Sequence, residues 1–143
     1  MWASLRNRLT IVLCRRRIHA RMSRSVRDAW PLIARVFSES DAVYSGPVGA
    51  SGRLPFQSRL IDLLVQQRGE SEEVFACHLE HSDALVVAYC LVGLQRLHSR
   101  KLEQLPTGLL ERSEPIVFRG GCFYRRLTLG QLASELTANC GAS

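Results

Sequence analysis

Eleven apolar positions stand in a row from Ala84 to Leu94, ALVVAYCLVGL, the longest such run in the chain. A helix that is apolar all round its circumference sits at the centre of a fold, touched on every side. The pattern therefore predicts a central helix after Ser82 and Asp83, both good N-caps, reaching about Ser99. Only its far end, with Gln95, Arg96 and His98, is polar. At about 1.5 Å per residue the run spans roughly half a bilayer core, so no membrane span is expected.

The remaining elements follow from shorter patterns. Trp30, Ile33, Val36 and Phe37 recur at helical spacing and predict a helix from about Ala29 to Glu39, capped by Asp28 with Pro31 in its first turn. Phe56, Leu60, Ile61, Leu63 and Leu64 predict a second helix to Arg68, closed by Gly69. A third begins at Ser71, with Glu72 and Glu73 in its first turn, and runs to about His81. Between the first two, Tyr44 to Pro55 holds Gly46, Gly49 and Gly52 and reads as a connector. Those glycines match neither phosphate-binding fingerprint. Leu105 to Leu110 suggests a short helix. Pro115 to Leu127 alternates as two extended segments around Gly120 and Gly121, a short β-hairpin. Thr128 and Gln131 then form a T-x-x-Q capping box, and Leu129, Leu132, Ala133 and Leu136 make a C-terminal amphipathic helix ending near Asn139. The expected fold is all-α or mainly α, with that hairpin near 115–127.

Composition changes this picture in one place. The 143 residues suit one domain with one core. The net charge of +6 is unevenly spread. Residues 1–27 hold eight arginines and no acid, whereas 28–143 hold eleven basic and thirteen acidic residues. The basic character thus belongs to an N-terminal arm, and nucleic acid enters as a partner only through residues 1–27. The division expected is a disordered arm or over-extended start over 1–21, then a single mainly helical domain over 22–143. As a secretory signal the arm fails, because Leu9 to Cys14 is short and is followed by Arg15, Arg16 and Arg17. Organellar targeting fits in part: Trp2, Leu5, Leu9 and Val12 share helical spacing. Arginine outnumbers lysine 18 to 1, which suggests GC-rich, bacterial coding. Five cysteines without a CxxC pair read as reduced thiols of a cytoplasmic protein.

Residues 72–99 resemble one unit of a HEAT-type (armadillo-like) helical repeat, and the resemblance extends weakly over about 56–100. It rests on Asp83, then Val86, then the small residues Cys90 and Gly93 with Leu94 and Leu97 at helical spacing. Val87 stands where the family often has arginine. The resemblance implies a surface that binds other proteins, since such folds mostly scaffold.

Candidate chemistry is sparse. Cys77, His78, His81 and Cys90 supply metal-ligating types on neighbouring helices, but Cys77 and His78 diverge by about 100° on a helix, so packing is the expected role. Cys122, between Arg119, Arg125 and Arg126, is the candidate for a reactive thiol, because nearby cations lower a thiol pKa. The same hairpin, with Arg119, Phe123, Tyr124, Arg125 and Arg126, is the candidate binding surface. No nucleotide, zinc-protease, EF-hand or hydrolase motif occurs, and no cofactor is implied. The expectation is a non-enzymatic adaptor or scaffold module that binds another protein. The alternatives are a small thiol-dependent enzyme or regulator using Cys122, and nucleic-acid association through the arm.

Overall fold

The structure, a computed structural model, describes residues 15–48, 55–121 and 123–140. Helix α1 covers residues 15–22 of the described chain. It is followed by α2 (Val26–Ser38), β1 (Val43–Val48), α3 (Phe56–Gln66), α4 (Arg68–Cys77) and α5 (Ala84–Arg96). Two 3₁₀ turns, Arg100–Glu103 and Leu109–Glu111, lead to β2 (Pro115–Gly121), β3 (Phe123–Thr128) and α6 (Leu129–Cys140). The architecture is mainly helical with one three-stranded sheet, and it contains the expected hairpin and C-terminal helix.

Helix α5 is the centre. Every residue from Val86 to Leu94 is buried, and α2, α3, α4 and α6 pack around it. Asp83 caps it, its Oδ1 accepting from the N–H groups of Leu85 (2.9 Å) and Val86 (3.3 Å). Gly93 has its place for a steric reason: a Cβ there would collide with the Phe75 ring of α4, so α4 lies directly on the backbone of α5. The helix stops at Arg96, three residues before the expected end. His98 adopts φ 52°, the Ser99 N–H donates to Leu94 O and the His98 N–H to Gln95 O, each at 3.0 Å. That is a Schellman stop built on histidine instead of glycine.

Three other boundaries differ from the sequence pattern. Helix α2 begins earlier, because Ser25 is its cap and accepts from the Asp28 N–H at 3.0 Å. Pro31 accordingly sits in the sixth position, on an exposed side, where it has no N–H to donate to the Arg27 carbonyl. Gly69 closes nothing. It lies inside α4, which starts one residue after α3, and the Ser71 hydroxyl joins the two helices by donating to Leu64 O at 2.6 Å. The expected connector from Tyr44 contains β1, which pairs parallel with β2 at Val43↔Phe118 and Tyr44↔Arg119. The ladder shifts register between Tyr44 and Val48, and Gly46 and Pro47 fall in that irregularity. An edge strand tolerates a residue without an N–H at such a bulge, which is why a turn-like pattern conceals a strand. Gly49 and Gly52 lie outside the described residues.

Helix α6 starts as its capping box requires. The Thr128 N–H donates to Gln131 Oε1 (2.9 Å) and the Gln131 N–H to Thr128 Oγ1 (3.1 Å). The boundary expected at residue 21/22 falls within α1, where Ile18 is fully buried in the common core and Met22 packs against it. No helix among the described residues is long and apolar enough to cross a membrane.

Candidate functional site

Strand alternation sorts the hairpin residues onto two faces. Ile116 and Leu127 are partners and both are buried, so they define the inner face. Phe118 and Val43 share it, and so does Arg125, the partner of Phe118. Arg125 reaches across to α6 and donates twice to Glu135, at 3.0 and 2.7 Å. This fork holds the Glu135 carboxyl below its ordinary range, chiefly through the hydrogen bonds from Arg125. Arg125 is therefore paired with a carboxylate on the face opposite Tyr124 and Arg126, with its side chain still 54% exposed.

The outer face collects the other residues. Val117 pairs with Arg126, Arg119 with Tyr124, and Tyr44 with Arg119 across the parallel ladder. Two tyrosine–arginine stacks result. The Arg119 guanidinium lies over the Tyr44 ring at 6.0 Å, and that of Arg126 over the Tyr124 ring at 5.8 Å. Arg126 Nε also donates to the Tyr124 hydroxyl at 3.2 Å. Tyr124 is 55% exposed, whereas Tyr44, Val117 and Arg119 are half-buried. Of the five expected binding residues, the structure thus brings Arg119, Tyr124 and Arg126 together and turns Arg125 away. The side chain of Phe123 lies outside the described residues.

Tyr44 is the site residue that the sequence pattern missed, and a buried network positions it. The Tyr89 hydroxyl of α5 accepts from the Tyr44 N–H (3.1 Å) and donates to Ala42 O (2.7 Å). Ser40 Oγ lies 3.3 Å from the same hydroxyl and accepts from Gln57 Nε2 at 3.2 Å. The Tyr89 ring stacks on Phe37 with centroids 4.2 Å apart, and burial pushes its hydroxyl pKa up. At the rim of the face, the Tyr44 hydroxyl donates to Asp41 Oδ1 at 2.6 Å. Burial first, and Asp41 second, raise the Tyr44 pKa against the opposing effect of Arg119. The Tyr44 and Tyr124 rings each present an aromatic surface beside an arginine.

The Cys/His group is dispersed. Cys90 is fully buried in α5, where desolvation pushes its thiol pKa up, while Cys77 is exposed. His78 stacks against Trp30 at 4.7 Å and its Nδ1 is 2.7 Å from Val74 O. His81 Nδ1 accepts from the Asp83 N–H at 2.9 Å. Among the described residues no three His, Cys, Asp or Glu side chains converge as metal ligands. Cys122 lies outside the described residues. A cleft of about 280 Å3 beside His81 is lined by Leu79, Pro106, Leu109 and Arg112. Its arginine already donates to His81 O, Ser82 O and Glu114, so the cleft carries little free recognition chemistry.

The outer sheet face therefore stands as the candidate site: exposed aromatic surface, two stacked arginines, and a core network that holds its first strand in place. Comparison with protein-family models, curated proteins and solved structures found no match.

Proposed function

We propose that this chain is a non-enzymatic protein-interaction module, and that its partner docks on the outer sheet face through a segment bearing carboxylates and an apolar side chain. The supporting observation is Tyr124, 55% exposed and stacked with Arg126, next to the pair of Arg119 and Tyr44. Tyrosine and arginine are the residue types that dominate binding energy at interfaces, because they present large, rigid, amphipathic area. The two stacked arginines set the charge of the partner. The resemblance of residues 72–99 to a HEAT unit argues in the same direction. An exposed free thiol at Cys77 suits a reducing compartment, and the proposed location is the cytoplasm.

The test is comparative capture with the tagged full chain in source-cell lysate. Wild type should retain one stoichiometric partner, and cross-linking should map the contact to Tyr124 and to an acidic segment of that partner. Tyr124→Ala with Arg126→Ala should reduce capture by about thirtyfold, the equivalent of one hot-spot loss of about 2 kcal/mol. Equal capture by the double variant overturns the assignment.

A further inference from the structure

Helix α1 converts part of the basic arm into a surface fixed on the fold. Its Ile18 is fully buried in the same core as α2 and α5, and Met22 packs against that core. Arg15, Arg16, Arg17, Arg21 and Arg24 are all exposed, as is His19 between them. Arg15 leans over the Phe56 ring of α3, its guanidinium 5.8 Å from the centroid, beside Arg59. Arg16, Arg17, Arg21 and Arg24 have no ion-pair partner among the described residues, although Arg27, Arg35, Arg96, Arg112 and Arg125 each have one. Arg59, Arg68, Arg100, Arg119 and Arg126 also lack an ion pair among the described residues, so what sets α1 apart is density: it and the turn after it expose five arginines within residues 15–24.

We propose that α1 binds the phosphate backbone of nucleic acid, without reading its sequence. Three arguments lead there. Arginine presents a planar fork that matches phosphate oxygens, and α1 and its turn expose five arginines and no acid. Arg17 and Arg21 lie one helical turn apart, about 6 Å along the axis, a length over which a duplex offers about three phosphate charges. A bilayer is the weaker fit. A basic interfacial helix holds a membrane by burying an apolar face, and among the described residues of α1 the large apolar side chains pack on the protein core, Ile18 fully and Met22 in part. This surface is independent of the outer sheet face.

The test is fluorescence anisotropy of the full chain with a 20-base-pair DNA of arbitrary sequence, between 50 and 200 mM salt. Log affinity should fall linearly with log salt. The triple variant Arg16→Gln, Arg17→Gln, Arg21→Gln should flatten that slope by about 2.7 and weaken binding roughly a hundredfold at 50 mM salt. All three side chains are exposed, so an unchanged circular dichroism spectrum is expected, and it separates lost contacts from lost fold. Absence of DNA binding at 50 mM salt, or an unchanged slope in the triple variant, overturns the proposal. So does equally tight binding to phosphatidylglycerol vesicles or to poly-glutamate.

Discussion

Single side chains carry out two distinct tasks here. Tyr89 is a core residue whose hydroxyl orders a surface: it satisfies the Tyr44 N–H and so holds the start of β1 beneath the outer face. Tyr89→Phe keeps the ring against Phe37 but leaves that N–H without its partner. The expected loss is about 1–3 kcal/mol of stability, measured by urea denaturation. Glu135 works by charge. Its folded pKa is depressed by Arg125, so the pair's contribution is present above the ordinary carboxylate range and disappears as pH falls through the lowered value. An NMR titration should place the Glu135 midpoint below that of an ordinary glutamate, and Arg125→Ala should raise it. Tyr89 was legible only as one more apolar position in ALVVAYCLVGL, because its hydrogen-bond partners lie 45 and 47 residues away.

At the level of elements, caps and stops follow local chemistry where the partner is near in sequence. The Thr128–Gln131 box and the Asp83 cap close within three residues and were readable directly. The end of α5 was not, because a left-handed His98 stands where glycine is the usual signal. His98→Gly relieves that backbone strain, and the expected gain is about 0.5–1 kcal/mol, seen as a higher urea midpoint. Strand β1 was hidden for a different reason. Its turn-like Gly46 and Pro47 become extended only because β2, some seventy residues later, supplies the ladder.

The whole molecule is organised around α5, and its core reaches further toward the N-terminus than charge alone suggests. An arm rich in arginine reads as solvated chain, yet Ile18 closes one side of the core. Ile18→Ala removes buried methyl groups and should cost about 2–5 kcal/mol in a denaturation experiment. A surface helix undocked from the fold would show almost no change, so the measurement separates the two arrangements.

Patterning alone was enough to determine the helical class, the central helix, the hairpin and the C-terminal helix, because hydrophobic period and capping are properties of adjacent residues. It also marked Arg119, Tyr124 and Arg126 as surface chemistry. Tertiary structure decided how the hairpin arginines are partnered, since Glu135 on α6 pairs with Arg125. It decided too that Tyr44 joins the same face and that Ile18 fastens α1 to the domain. Each of these depends on contacts between residues distant in sequence, and those contacts exist only once the elements have packed.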